Sequence, residues 1–152
     1  MPLPPCGLYR TLAPVAGVPQ GRLVFFHDHG NPGPGLYLPT GWSGNRAQFA
    51  ETGQTLPDEA SAALLEPLAP QGLYRVTGEF FCCEKRCRRF EDGLLVQLGY
   101  DGAGRPILFV PEWIGAALSF PEKGFPLDAA RLKSIAPLKV PIVERVPGEQ
   151  VH

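Results

Sequence analysis

The tetrapeptide Gly-Leu-Tyr-Arg occupies residues 7–10 and returns at residues 72–75. A second pair follows in the same order, because Leu-Tyr-Leu-Pro at residues 36–39 is matched by Leu-Phe-Val-Pro at residues 108–111. Self-similarity of this kind reveals a repeated structural unit that residue propensities alone would miss. The sequence therefore predicts a tandem duplication of one small module, arranged with pseudo-two-fold symmetry.

Each copy of the module is predicted to be rich in β-strands. Runs of β-branched and aromatic residues at 24–29 and 36–38 flank a Gly- and Pro-rich stretch at residues 30–35, a pattern typical of a hairpin. The second copy has Asp-Gly-Ala-Gly at residues 101–104 in the place of that turn. Short strands around a Gly-rich hairpin are compatible with a small barrel-like module of the SH3-like type. The predicted fold class is therefore mainly β, with two short helices.

One short helix is expected near the end of each copy. Residues 62–70 align with residues 129–137, and both segments end in Ala-Pro. Asp58 and Asp128 precede these segments, and a carboxylate at that position can cap the first helical turn. The repeat is therefore predicted to include the helix as well as the strands.

A third copy of the first strand is predicted near the end of the chain. The helix alignment places residues 139–143 opposite residues 72–76, which are themselves equivalent to residues 7–11. These three strands would be shared by the two modules and would bracket them. We predict one compact domain over residues 1–152, with repeat 1 at about residues 7–70, repeat 2 at about residues 72–137, and a closing strand and tail at 138–152.

The shared aromatic residues are the predicted core. With 44% hydrophobic residues the chain can bury enough apolar surface to fold, although it carries 18 glycines and 18 prolines. A duplicated fold retains its packing residues more readily than its surface. The aromatic residues predicted to be buried are Tyr9, Tyr74, Trp42, Trp113, Phe49 and Phe120.

Charge and hydropathy narrow the expected surroundings of the protein. The 14 basic and 15 acidic residues give a net charge of −1, so no overall field attracts nucleic acid, and nucleic-acid binding is not expected. The sequence contains no apolar stretch long enough to span a bilayer, and its first residues lack the pattern of a secretory signal. We therefore expect a cytoplasmic protein that does not enter membranes.

Polar residues present in only one copy are the candidates for function, because the shared scaffold does not require them. His27 and His29 lie opposite residues 99–101 of the second copy, and residues two apart on a strand point to the same side. Cys83 and Cys87 have the spacing of a zinc knuckle. The predicted zinc ligands are His27, His29, Cys83 and Cys87, with Cys82 and Cys6 as alternates.

A second set of polar residues that occur in only one copy lies in or near the loops. Recognition residues concentrate on loops that a rigid scaffold positions. The predicted binding residues are Asn31, Asn45, Arg46, Arg86, Arg88 and Arg89.

Three functions remain open on the sequence alone. The first is a non-catalytic, adaptor-type domain that presents its Gly/Pro-rich and Cys-rich loops to another protein. The second is a zinc protein with a structural or catalytic Cys/His site. The third is a thiol-based redox enzyme or sensor, because the basic residues around Cys83 would lower the pKa of a thiol. The common hydrolase and nucleotide-binding motifs are absent from the sequence, which favours the first of these.

Overall fold

The fold is mainly β, as the sequence predicts, with two short 3-10 helices. The computed structural model describes residues 3–29, 33–86 and 88–141. Two units follow one another along the chain, and we call them the N-terminal unit, residues 7–67, and the C-terminal unit, residues 72–137. Each unit contains one five-stranded antiparallel sheet and one two-stranded hairpin that extends from it.

The N-terminal unit contains seven strands and one 3-10 helix among its described residues. They are β1 (Gly7–Thr11), β2 (Leu23–His27), β3 (Gly35–Tyr37), β4 (Pro39–Ser43), β5 (Arg46–Phe49), β6 (Gln54–Thr55), η1 (Glu59–Leu64) and β7 (Leu65–Pro67). The sheet has the strand order β6-β3-β2-β1-β7, and β4 pairs with β5 as the separate hairpin.

The C-terminal unit repeats this arrangement and adds one small hairpin. Its elements are β8 (Gly72–Val76), β9 (Phe80–Phe81), β10 (Arg89–Phe90), β11 (Leu95–Tyr100), β12 (Pro106–Phe109), β13 (Glu112–Ile114), β14 (Ala117–Ser119), β15 (Phe125–Pro126), η2 (Ala129–Ser134) and β16 (Ile135–Pro137). The sheet order β15-β12-β11-β8-β16 has the same sequence of connections as the first sheet. The added hairpin β9–β10 brackets the cysteine-rich insertion.

Equivalent residues make equivalent contacts in the two units. The Tyr9 hydroxyl donates a hydrogen bond of 2.6 Å to the Pro5 carbonyl, and the Tyr74 hydroxyl donates one of 2.6 Å to the Pro70 carbonyl. Both tyrosines are buried, and burial raises the pKa of each phenol. The repeated tetrapeptide is thus explained by one shared packing role.

A pair of glycines marks a second equivalent contact. A Cβ on Gly53 would lie 2.9 Å from the Tyr37 ring and 3.0 Å from the Leu36 carbonyl oxygen. A Cβ on Gly124 would lie 2.9 Å from the Phe109 ring and would also meet the Leu108 carbonyl. Only glycine fits under these rings, because any side chain would overlap the neighbouring strand.

Two hydrophobic clusters form the core. One lies within the N-terminal sheet and consists of Tyr9, Val15, Val18, Val24, Phe26, Leu36, Leu56 and Leu65. The other contains most of the buried residues of the C-terminal unit and also includes Leu8, Leu23 and Ala47 from the N-terminal unit. Apolar packing therefore continues from one unit into the other.

The predicted helices differ from the observed ones in register. The sheets align Leu65 with Ile135, since these residues pair with Thr11 and Val76 at equivalent positions of the two sheets. The counterpart of Ala129 is therefore Glu59, whereas the sequence alignment predicted Ala62. The two Ala-Pro pairs are not equivalent, because residues 69–70 follow strand β7 whereas residues 136–137 lie within strand β16.

The predicted helix caps are half confirmed. The Asp58 carboxylate accepts a hydrogen bond of 2.9 Å from the Ser61 backbone N–H, as a capping residue should. Asp128 occupies the same position before η2, but its side chain makes no capping hydrogen bond. The two helices therefore begin alike and are stabilised differently.

The prediction of shared strands is wrong. Among the described residues, strand β8 pairs only with β11 and β16, and the N-terminal sheet ends on its own strand β7. A closing strand at 139–143 was expected from the helix alignment, but residues 139–141 form no strand, and residues 142 and 143 lie outside the described residues. Each unit therefore completes its own sheet.

Candidate functional site

The N-terminal hairpin, β4–β5, docks on the C-terminal unit. The Trp42 indole N–H donates a hydrogen bond of 2.7 Å to the Tyr100 carbonyl. At the hairpin tip the Asn45 amide donates to the Gln97 side-chain oxygen at 3.0 Å and to the Pro121 carbonyl at 2.9 Å. The Gln97 amide in turn donates to the Gly44 carbonyl at 2.9 Å. The tip is thus held by reciprocal amide contacts on a sheet face.

The sheet face under the tip has room for it only because residue 99 is glycine. A Cβ at Gly99 would lie 2.7 Å from the Asn45 carbonyl oxygen and 3.1 Å from the Phe109 ring. A separation below 3 Å from a backbone atom forces the hairpin or the sheet to move. Gly99 therefore lies directly beneath the tip of the docked hairpin.

The link between the units holds the side of the same hairpin. The Ala47 backbone N–H donates to the Gln71 side-chain oxygen at 2.9 Å, and the Gln71 amide donates to the Ala47 carbonyl at 3.1 Å. The Arg46 guanidinium donates to the Gln71 carbonyl at 3.2 Å. Asn45 and Arg46, predicted to bind a partner, therefore make contacts within the chain. The roles of Gln71 and Gln97 were missed, because neither residue belongs to a recognisable motif.

The equivalent C-terminal hairpin, β13–β14, is exposed. Its register pairs Trp113 with Leu118, as β4–β5 pairs Trp42 with Ala47. Trp113 is 74% exposed, Ile114 63% and Leu118 41%. The predicted burial of both tryptophans is wrong, since Trp42 is also 46% exposed and covers the second unit from outside. Phe49 and Phe120 are half-buried.

A cluster of metal-ligand side chains lies at the end of β2. One ligand atom from each of Cys6, His27, Asp28 and His29 lies within 4.8 Å of the others. The Cys6 Sγ is 3.4 Å from the His27 Nδ1 and 3.4 Å from an Asp28 carboxylate oxygen. The Asp28 carboxylate contacts the His29 Nδ1, and the two imidazole rings stack with their centroids 4.7 Å apart.

The pairing of β1 with β2 explains this meeting. Gly7 lies opposite Phe26 in the antiparallel register, so Cys6 falls beside His27. The structure thus brings together three of the predicted ligands, His27, His29 and the alternate Cys6. Asp28 completes this cluster and was not among the predicted ligands, although it lies between the two histidines in the sequence.

The other predicted ligands lie elsewhere. Cys82 is buried and follows β9, where its backbone pairs with Arg88 and Asp128. Its Sγ is 3.7 Å from that of Cys83, and both cysteines line a groove of about 620 Å³ that also borders Tyr100. Neither belongs to the histidine cluster. Cys87 lies outside the described residues, and the thiol-based function stays a prediction.

The predicted arginines of the cysteine-rich hairpin contact their own unit. Arg86 lies over the Phe81 ring at 5.0 Å, and Arg88 over the Phe125 ring at 5.3 Å. Arg89 donates to Glu79 at 3.0 Å, a bond that raises the pKa of this guanidinium. Their predicted role in partner binding stays a prediction. Asn31 lies outside the described residues.

Comparisons with known proteins leave the function to be inferred from these residues. Protein-family models, curated protein sequences and solved structures give no match to the chain. In the part of the chain that the structure describes, no helix is long and apolar enough to cross a membrane.

Proposed function

We propose that this chain is a non-catalytic protein-binding domain and that the C-terminal hairpin is its binding element. The observation that carries the proposal is the contrast between two equivalent hairpins. The N-terminal hairpin is docked through Trp42 and Asn45, whereas the C-terminal hairpin exposes Trp113 and Ile114. Exposed aromatic and aliphatic side chains grouped on one element are typical of interaction surfaces.

The docked hairpin indicates which partner surface the exposed one fits. The partner offers a sheet face with a residue of little or no side chain below the hairpin tip, as Gly99 does for the N-terminal hairpin. It offers a backbone carbonyl for the indole N–H of Trp113, as Tyr100 does for Trp42. Because the C-terminal tip has Ala116 in the place of Asn45, the partner face is apolar rather than amide-bearing.

The partner is another protein rather than a second copy of this chain. In the N-terminal sheet, His27 occupies the position of Gly99, as the strand registers show. The His27 imidazole would overlap the tip of a hairpin docked on this sheet.

The matching sheet orders also support two proposals about origin. We attribute the two units to duplication of one ancestral module, because both the order of strands and the buried Tyr and Gly contacts repeat. We assign that module to the SH3-like class of small barrels, in which short strands and a 3-10 helix precede the last strand, as η1 precedes β7. The fold class itself implies no activity.

Site-specific photo-crosslinking tests the proposed function. A photoreactive phenylalanine analogue replaces Leu118 in one sample and the exposed Lys133, on η2, in a control sample. In extract of the native cells, position 118 is expected to yield a discrete adduct that position 133 does not. The adduct is lost when Trp113→Ser and Ile114→Ser are added, and the purified partner then binds the Trp113→Ala variant about 30-fold more weakly.

Three results would contradict the proposal. Identical adducts from both positions would show that the hairpin selects nothing. Survival of the adduct in the double variant would place the contact elsewhere. An adduct with the mass of two copies would identify the binding surface as a self-association surface.

A further inference from the structure

We infer that Cys6, His27, Asp28 and His29 form a structural zinc site. Nothing in the proposed function requires a metal, so this inference stands on its own observations. The four residues belong to two chain segments that meet at one end of the N-terminal sheet.

The distances between ligand atoms suit a tetrahedral ion. Zinc lies about 2.0–2.1 Å from imidazole nitrogen and about 2.3 Å from thiolate sulfur, so tetrahedral ligands stand roughly 3.3–3.6 Å apart. The Cys6 Sγ is 3.4 Å from both the His27 Nδ1 and an Asp28 oxygen. All four ligand atoms fall within 4.8 Å of one another, and rotation of the exposed His29 side chain would open its close contact with Asp28 and bring its imidazole to the ion.

The chemistry of the donors selects the metal. One thiolate, two imidazoles and one carboxylate match the ligand types of zinc, whereas magnesium and calcium require oxygen ligands throughout. Four protein ligands complete a tetrahedron and leave no open position for a substrate. The site is therefore structural rather than catalytic.

The C-terminal unit supplies an internal comparison. At the positions of Cys6, His27 and Asp28 it has Gln71, Gly99 and Tyr100, none of which is a cysteine, histidine or carboxylate. Each of these three residues instead contacts the N-terminal hairpin β4–β5. The same end of the sheet therefore holds a hairpin in one unit and, we infer, a metal ion in the other.

Bound zinc would tie the first described residues to β2. Cys6 precedes β1 and is exposed, whereas His27 and Asp28 are half-buried at the edge of the sheet. Because a ligand that binds only the folded state stabilises it, zinc is expected to raise the melting temperature.

Metal titration of the chelator-treated full chain is the first test. We expect one equivalent of Zn²⁺ to bind, and one equivalent of Co²⁺ to give the visible bands of a tetrahedral ion together with a thiolate-to-cobalt charge-transfer band. The melting temperature should rise on zinc addition. Less than half an equivalent, or a cobalt spectrum without the thiolate band, would overturn the inference.

Matched variants locate the ligands. Cys6→Ser should abolish the charge-transfer band, and His29→Gln should weaken zinc binding at least about 100-fold. Cys83→Ser is the control, because Cys83 is not part of the cluster, and it should bind zinc like the parent. Loss of binding in Cys83→Ser with retention in Cys6→Ser would overturn the inference. Both ligand substitutions fall on exposed side chains, and melting without metal verifies that each variant is folded.

Discussion

A single residue position separates a sheet face that receives a hairpin from one that does not. At this position the C-terminal sheet has Gly99, whose absent side chain leaves space for the Asn45 carbonyl. The N-terminal sheet has His27, which contacts Cys6 instead. The sequence comparison identified this difference but could not reveal its meaning, because a glycine in a strand has several explanations.

Gly99→Ala should loosen the docked hairpin. Its Cβ would lie 2.7 Å from a backbone oxygen, so the variant is expected to lose about 1–3 kcal/mol of unfolding free energy through strain. Chemical denaturation measures the loss. Gly102→Ala is the matched control, because its nearest contact is the Trp42 ring at 3.8 Å, an ordinary distance. Equal stability of the two variants would contradict the role given to Gly99.

Because of Tyr100, the free energy of unfolding should decrease at alkaline pH. Burial, with a smaller contribution from Tyr74, raises the pKa of the Tyr100 phenol, which donates to the Ala69 carbonyl at 2.7 Å. The unfolded state releases its proton first, near pH 10, so the stabilisation is complete below that pH and is lost as pH rises above it.

Tyr100→Phe should therefore lower stability by about 1–2 kcal/mol at neutral pH, since the Ala69 acceptor loses its donor. Above pH 10 the variant should lose stability less steeply than the parent. Unfolding free energies measured from pH 7 to 11 compare the two slopes. Parallel slopes would indicate that Tyr100 does not titrate differently on folding.

At the scale of elements, two hairpins of one design have different surroundings. The sequence predicted the hairpin-forming segments and the repeat, because Gly, Tyr and Trp recur at matching places. It could not predict that Trp42 contacts the other unit whereas Trp113 is exposed, since this difference depends on contacts between the units. The predicted helix register is wrong because residues 65–67 form a strand that pairs with β1, a contact between residues far apart in the sequence.

The candidate metal cluster was predictable in part. The two histidines follow from strand alternation alone. Cys6 required the pairing of β1 with β2, which the sequence does not specify, and it was therefore only an alternate to Cys83. Cys83 and Cys87 were predicted as zinc ligands from their spacing. Spacing along the chain does not show which other side chains a loop lies near in the fold.

Asn45→Ala should weaken the contact between the units. The substitution removes two hydrogen bonds and leaves the buried Gln97 amide oxygen without its donor, for an expected loss of about 2 kcal/mol. Ala116→Ser, at the equivalent tip of the exposed hairpin, should change stability by less than about 0.5 kcal/mol. Thermal unfolding of both variants provides the comparison, and a reversed order of effects would contradict the docking of β4–β5 on the C-terminal unit.

At the scale of the whole molecule, the two units are joined by packing as well as by the chain. Leu8, Leu23 and Ala47 belong to the cluster that fills the C-terminal unit. The Leu23 backbone N–H also donates to the Gly102 carbonyl at 2.9 Å. We therefore expect a single cooperative unfolding transition rather than two. Two separate calorimetric transitions would indicate units that fold independently.

One hairpin is held within the molecule, and we propose that its exposed equivalent binds a partner. Residue-resolved amide hydrogen exchange tests it directly in the unmodified protein. The Ala47 N–H, which donates a hydrogen bond to the Gln71 side-chain oxygen, should exchange at least about tenfold more slowly than the equivalent N–H of Leu118. Equal exchange at the two amides, or faster exchange at Ala47, would contradict this account.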